Sequence, residues 1–368
     1  MRRIKQWGWV ASLAVSAALT LTACGGGNDA LSSKATVRKA YVAGDSLADV
    51  GTFGGLKFTV VDPASPKNSQ IWPQLVANLF GLDGVAQCSF YSITTGTTTN
   101  SACTNYAIGG ARIVNKVTDT LPTVGVQLGT RGLSAYQSDD LLLVDGGGND
   151  AADLVTAFLG ALQGNTAGYQ TFLLQQLDPG TLTSLMAQDS TGAAAATAYM
   201  QALANTHFNA IKTQALDKGA QHIGVLNIPD ITLTPRFQAV LASLGAVQGP
   251  QIQALIRQWL STFNNRLQAL ASGDSRLAVV DFYTDFQDEI THPASYSLSN
   301  VTAPACTTVQ SVNFDKFPCL STALDATNGQ TPGWWKFYAF ADDFHPTPYG
   351  HQLLASSVAR ALAKAGWL

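Results

Sequence analysis

The sequence predicts a layered α/β fold built around a parallel sheet. Short apolar runs at residues 37–43, 141–144, 222–227 and 277–282 alternate with long stretches of helical periodicity, the element order of an α/β protein. Residues 141–144 are Leu-Leu-Leu-Val, unbroken between Asp140 and the following glycines, which suits a strand covered on both sides. In parallel sheets ligands sit beyond the carboxyl ends of the strands. Gly44-Asp45-Ser46-Leu47 follows the first run and Gly147-Gly148-Asn149-Asp150 follows the second, so both polar segments are expected on one rim.

Each stretch has a local reason. Arg2, Arg3 and Lys5 precede a mostly apolar run at residues 7–21. That run is too short and too rich in small residues for a membrane span, so residues 1–23 read as an export signal that is cleaved off. Leu21-Thr22-Ala23-Cys24 resembles a bacterial lipobox. The resemblance implies cleavage before Cys24, lipid on its thiol and, with Gly25 rather than Asp next, sorting to the outer membrane. Ordinary cleavage nearby, giving a secreted or periplasmic protein, is the alternative. Residues 24–36 read as a flexible tether and residues 37–368 as one domain with helical insertions, because the chemistry below needs both ends of that span together.

Residues 69–80 carry Ile71, Leu75, Val76 and Leu79 at helical spacing, with Ser69 a candidate cap. Residues 87–104 are a Ser/Thr/Asn-rich loop. Residues 151–187 and 193–218 read as helices, the second rich in alanine. Residues 251–271 form an amphipathic helix with Leu255, Leu260, Phe263 and Leu267 along one side. Residues 347–365 close the chain as a helix whose first turn tolerates Pro348.

Composition narrows the partners. Only 12% of the residues are charged, against about 25% in an average soluble protein; Ser, Thr, Asn, Gln and Gly fill the surface instead, as in many exported proteins. The formal charge is −3, and removal of the basic start makes it more negative. No basic cluster is present, which argues against nucleic acid as a partner. Besides Cys24 the chain holds Cys88, Cys103, Cys306 and Cys319, which can pair in three ways. Local pairing, Cys88–Cys103 and Cys306–Cys319, is preferred because each pair flanks a turn-rich polar loop. Zinc is the rival, but neither a Cys-x-x-Cys nor a paired histidine spacing supports it.

A third polar segment, Asp342-Asp343-Phe344-His345-Pro346, supplies what Ser46 lacks. A serine hydroxyl is a poor nucleophile without an adjacent base, and His345 is the candidate base. Asp342 can orient its ring; Asp343 is the alternative acid, and spacing alone excludes neither. Pro346 and Pro348 restrict the backbone behind the histidine. Acyl transfer also needs donors for a developing oxyanion. The candidates are the Ser46 N–H, a glycine N–H of Asn105-Tyr106-Ala107-Ile108-Gly109-Gly110, and the Asn149 side-chain amide. Asp45 and Asp49 read as braces of the turn, and His207, His222, His292 and His351 as surface or packing residues. Residues 332–340 carry five aromatic side chains, read either as a core strand under the last helix or as an apolar wall for an acyl or aryl group. Phe53-Gly54-Gly55-Leu56-Lys57-Phe58 is a candidate opposite wall or lid.

These segments together resemble the SGNH, or GDSL, hydrolase family. Gly44-Asp45-Ser46-Leu47-Ala48-Asp49 matches the nucleophile motif, although Ala48 stands where serine is frequent. Residues 105–111 resemble the glycine motif, with Gly110 the likelier donor; Gly147-x-Asn149-Asp150 and Asp342-x-x-His345-Pro346 match the remaining two. Ile71-Trp72-Pro73-Gln74-Leu75 and residues 223–230 resemble bacterial members grouped as lipases, phospholipases and haemolysins. The likeness spans residues 38–366. It implies a three-layer α/β/α fold with a mostly parallel, flavodoxin-like sheet. It also implies a triad of Ser46, His345 and Asp342, an oxyanion hole from Ser46, Gly110 and Asn149, and neither metal nor organic cofactor. The expected activity is hydrolysis of fatty-acyl or lipid esters through an acyl-enzyme on Ser46, with a lipid anchor at Cys24 holding the enzyme at a membrane. A phospholipase or lipid acyltransferase, a sugar or aryl-ester deacetylase, and a surface lipoprotein that only binds are the alternatives.

Overall fold

The computed structural model describes residues 35–82, 88–98, 100, 102–114, 121–306 and 318–368. Cys24, the expected signal at residues 1–23 and all but the end of the expected tether lie outside the described residues. Four parallel strands, β1 (Lys39–Ala43), β2 (Asp140–Val144), β3 (His222–Leu226) and β4 (Leu277–Val280), stand side by side in chain order. Val42 lies opposite Leu143, Val144 opposite Val225, and Leu226 opposite Val280. On the other side of β1, Val42 N donates to Thr104 O at 3.1 Å and Tyr106 N to Val42 O at 2.7 Å. That segment occupies the place of a second strand, giving the flavodoxin-like order 2-1-3-4-5, but it is reduced to a bridge at Asn105. The loop entering it is polar and tied by a disulfide, so it offers no run of apolar residues to extend the pairing.

The helices are α1 (Trp72–Leu79), α2 (Val124–Arg131), α3 (Gly148–Leu162), α4 (Thr166–Leu173), α5 (Pro179–Gln188), α6 (Ala193–Gln214), α7 (Pro235–Ser243), α8 (Gly245–Ala271), α9 (Phe282–Thr291), α10 (Ser321–Asp325) and α11 (Pro348–Lys364). Side chains of β2 alternate between the sheet faces, as strand geometry requires. Leu142 and Val144 pack with α2, α3, α6 and α8. Leu141 and Leu143 pack with α1, α9 and α11. The result is the expected three layers, and β2 is buried along its whole length.

Several boundaries differ from the sequence reading. Residues 151–187 are three helices rather than one, because Gly164 turns left-handed (φ +100°). Asn165 and Asp178 then cap fresh starts by accepting from the N–H groups of Gly168 and Thr181. Strand β4 stops at Val280, since Asp281 caps α9 through the Thr284 N–H. Ser69 does not cap α1. The Gln74 side chain accepts from Ile71 N instead, and Ser69 Oγ accepts from Asp62 N. The aromatic segment is a short 3₁₀ turn, Trp334–Phe337, not a core strand. Trp334 and Trp335 donate to Leu324 O and Asp325 Oδ1 and pack in a small separate cluster.

Both disulfides form as expected, Cys88–Cys103 and Cys306–Cys319, so these thiols are not metal ligands. Closing loops of 15 and 13 residues stabilises the fold by about 3 kcal/mol each in the chain-entropy account. The second bridge fixes Cys319–Leu320, which pairs with Val60–Val61 beside Trp335.

Candidate active site

The chain leaves β1 at Ala43 and turns at once. Gly44 is gripped from both sides: its N–H donates to Gln127 Oε1 at 2.7 Å and its carbonyl accepts from Gln127 Nε2 at 3.0 Å. Asp45 N donates to Asp145 Oδ1 at 3.0 Å. A Cβ on Gly44 would lie 1.3 Å from that same oxygen, so only glycine fits. Asp45 Oδ1 then accepts from Leu47 N at 3.0 Å, and Asp49 accepts from Gly51, Thr52 and Gly109 N–H groups, each at 2.8 Å. Asp45 and Asp49 thus brace the turn, as the sequence reading expected, and hold Ser46 at its tip.

His345 arrives from the far end of the chain. Its Nε2 is 2.8 Å from Ser46 Oγ, and its Nδ1 is 2.7 Å from Asp342 Oδ2. Asp342 Oδ1 accepts from the Phe344 N–H at 2.8 Å and from the His345 N–H, which locks the acid to the loop. The structure therefore brings Asp342, not Asp343, to the ring; the Asp343 carbonyl accepts from Arg236 N instead. Antiparallel pairing of Phe340 with Pro346 folds the loop back on itself, and the Phe58 ring lies 5.2 Å from the imidazole.

Burial alone would lower the His345 pKa, but the charge and hydrogen bond of Asp342 outweigh it and hold the group above the usual 6.5. Burial raises the Asp342 carboxyl, and His345 with the two backbone donors brings it below its ordinary value. An ionised Asp342 fixes the proton of neutral His345 on Nδ1, leaving Nε2 to accept from the serine hydroxyl. Such a chain can generate a serine nucleophile and return the proton later.

The donors are arranged around the same turn. The Gly109 N–H is used by Asp49, whereas the N–H groups of Gly110 and Ser46 have no acceptor among the described residues. Gly110 sits at φ +79°, a conformation that favours glycine. Asn149 lies in the first turn of α3 and donates to Ala111 O at 3.0 Å and, more loosely, to Asp45 Oδ2 at 3.3 Å. Asp150 accepts from Ile113 and Val114 N–H groups, and Arg112 joins the Gly110 carbonyl to Asp153. Burial pushes the Asp150 pKa up to about 7. The start of α3 thereby fixes the loop that carries Gly110.

The GDSL-like lipase/acylhydrolase family model matches residues 41–358, most of the chain. The chain belongs to that family. This GDSL hydrolase is accordingly an enzyme that acts on ester bonds. Among solved structures it is similar to an extracellular lipase from Streptomyces rimosus, with 20% identity over 88% of this chain and 100% of that one, and a TM-score of 0.39. The comparison with curated proteins finds no match.

Two residues of the GDSL hydrolase site were not anticipated from sequence. Gln127 is fully buried on α2, whose inward positions Val124, Gln127, Leu128 and Arg131 follow helical spacing. A polar residue on such a face was the available signal. Asp145 is buried directly after β2, its Oδ2 without a hydrogen-bond partner among the described residues. Burial first, then the nearby Asp45, raises its pKa well above the usual carboxylate range. Asp45 is raised by the same burial.

Beside the turn opens an apolar cleft. Its near end is formed by Asp45 and Leu47, the neighbours of Ser46, and by Phe344 and Pro346, the neighbours of His345. From there it runs between α9 and α11. Phe340 of the aromatic segment contributes to it, while the two tryptophans do not. None of the other histidines bonds Ser46, Asp342 or His345 among the described residues, although His351 lies near enough to His345 to feel its charge. His207 and His351 are fully buried with neither ring nitrogen bonded to a described residue, His292 pairs with Asp288, and His222 meets the Trp367 ring edge-on.

Proposed function

We propose that the protein is a serine esterase or lipase that cleaves fatty-acyl or lipid esters through an acyl-enzyme on Ser46. One observation carries the reading: an unbroken hydrogen-bonded chain from Asp342 through His345 to Ser46 Oγ, with the N–H groups of Ser46 and Gly110 left without acceptors. Ser46 Oγ attacks the ester carbonyl carbon while His345 Nε2 takes the hydroxyl proton. The negative carbonyl oxygen is held by the Ser46 and Gly110 N–H groups, joined by Asn149 Nδ2 when it releases its long contact to Asp45. As the carbon–oxygen bond to the alcohol breaks, His345 gives its proton to the departing oxygen. Water then attacks the acyl-serine, its proton passing to His345 and back to Ser46 Oγ, which frees the acid.

The apolar cleft next to Ser46 supports a substrate with a long acyl chain over a sugar acetate or another small acetyl ester. A fluorophosphonate probe tests the nucleophile. The expected result is labelling of Ser46 in the native protein, loss of labelling and turnover in Ser46→Ala, and an unchanged far-UV circular dichroism spectrum. A native protein that is not labelled would instead fit a binding role. Rates on p-nitrophenyl esters of graded chain length test the lipid preference.

We also propose lipid attachment at Cys24 and residence at the bacterial outer membrane, on the strength of the Leu21-Thr22-Ala23-Cys24 segment. Incorporation of radiolabelled palmitate by the wild type and not by Cys24→Ser supports that placement; equal labelling contradicts it.

A further inference from the structure

Away from the Ser46 turn, helix α9 places an ionisable side chain in the lining of the apolar cleft. Helix α9 turns Phe282, Phe286, Glu289 and Ile290 toward the cavity. The spacing is that of a buried helical stripe, and glutamate is the one ionisable member. Glu289 is only 5% exposed, and its carboxyl makes no hydrogen bond or ion pair with any described residue. The nearest cation, Arg360, is engaged with Asp285 Oδ2 at 2.7 Å and Ser357 Oγ at 3.1 Å. Leu298 and Leu353 line the same cavity, and the carboxylates of Asp285 and Asp288 lie near enough to act on the charge of Glu289.

The carboxyl oxygens of Glu289 keep some contact with solvent, and a ligand that displaced that water would leave a costly unpaired polar group unless it brought a partner of its own. Phe282 lines the same cleft as Asp45 and Leu47, the neighbours of Ser46, and Glu289 follows seven positions later, about 10 Å farther along the helix axis at 1.5 Å per residue. A group that met it would therefore sit well down an acyl chain whose carbonyl lies at Ser46.

We propose that Glu289 selects the substrate of this site: it hydrogen-bonds a hydroxyl group carried part-way along the acyl chain, so that the preferred substrates are esters of hydroxylated fatty acids. The inference rests on the esterase reading above and deepens it. Burial first, then the charge of Asp285, pushes the Glu289 pKa up to about 8, against a weaker opposing effect of Arg360. At neutral pH the group is thus a carboxylic acid with both a donor and an acceptor to offer a hydroxyl. A plain alkyl chain leaves both unpaired. A site built around a buried polar group discriminates strongly against a ligand that lacks the partner.

The test measures kcat/KM at neutral pH for p-nitrophenyl decanoate and its monohydroxylated positional isomers, with the wild-type protein, Glu289→Leu and Glu289→Gln. The wild type is expected to prefer at least one isomer over plain decanoate by roughly 10–100-fold. Glu289→Leu should abolish or invert that ratio by favouring the plain chain, and Glu289→Gln should keep most of it. The ratio is the informative readout, because a loss of packing would slow plain and hydroxylated chains alike. Glu289→Met replaces the leucine variant if thermal melting shows that leucine disturbs the fold. Ester hydrolysis with the same ratio in wild type and apolar variant overturns the role of Glu289 and leaves the esterase reading standing. Absence of all ester turnover together with an unlabelled Ser46 overturns both.

Discussion

Replacing Asp342 with asparagine removes one charge and almost no volume, yet the geometry predicts a large effect. Asparagine Oδ1 can keep the bonds from the Phe344 and His345 N–H groups. Its amide, however, would face His345 Nδ1 across the 2.7 Å contact now made by Asp342 Oδ2. An amide there donates, so Nδ1 must accept and the ring proton moves to Nε2, against the Ser46 hydroxyl. The histidine can then no longer take the serine proton. The expected loss in kcat/KM is about 10⁴-fold, or about 5 kcal/mol of barrier. The pH profile gives a second reading. Burial lowers the His345 pKa and Asp342 is the principal group holding it above 6.5. Wild-type kcat/KM should therefore fall as pH drops through an inflection above 6.5, where the imidazole gains its proton. In Asp342→Asn the inflection of the residual activity should move down. Steady-state rates on a p-nitrophenyl ester between pH 5 and pH 9 measure both effects, with Asp343→Asn as the comparison. An Asp342→Asn enzyme within about tenfold of wild type, its inflection unmoved, would refute the reasoning. So would an Asp343→Asn variant that is the more damaged of the two.

Asn149→Ala should slow ester hydrolysis by about 10²–10³-fold if the amide turns from Asp45 to the oxyanion; near-normal turnover would leave it the structural job of holding Ala111 O and Asp45. His207 predicts an acid-labile fold. Burial lowers its pKa to about 4, so between 6.5 and 4 the unfolded chain takes up a proton that the folded one refuses. Its contribution is complete above pH 6.5 and is lost as pH falls, by about 1.4 kcal/mol per pH unit and about 3 kcal/mol in all. Asp150, raised to about 7 by burial, opposes this trend by favouring the folded state at low pH. The comparison that isolates the histidine is therefore between proteins. His207→Leu should lose less stability than wild type between pH 7 and pH 5 in urea titrations, and parallel losses would contradict the account.

The strands and the reacting groups were legible in the sequence for the same reason. A strand buried on both faces must be apolar throughout, so Leu141, Leu142, Leu143 and Val144 announce themselves. The turns after β1 and β2 must reverse sharply, so glycines mark Ser46 and Asn149. Helix breaks were harder to see, because Asn165 and Asp178 stop and restart helices through hydrogen bonds to backbone N–H groups, a change of direction that does not interrupt the apolar pattern. Spacing alone left Asp342 and Asp343 equivalent. Their difference is one of direction, set when Phe340 pairs with Pro346 and turns one carboxylate inward. Gln127 and Asp145 could not be assigned from their neighbours, since each acts on Gly44 and Asp45 from 83 and 100 residues away. Glu289 belongs with them: its helix reads as an ordinary amphipathic one, and only the folded structure shows that this glutamate lines the cleft without a hydrogen-bond partner among the described residues. The sequence by itself determined the α/β architecture and the types of reacting group, because those depend on local periodicity and turn chemistry. The tertiary structure alone decided which acid meets His345, which N–H groups stay unpaired and which side chains line the cleft, because each depends on groups that meet only when distant segments pack.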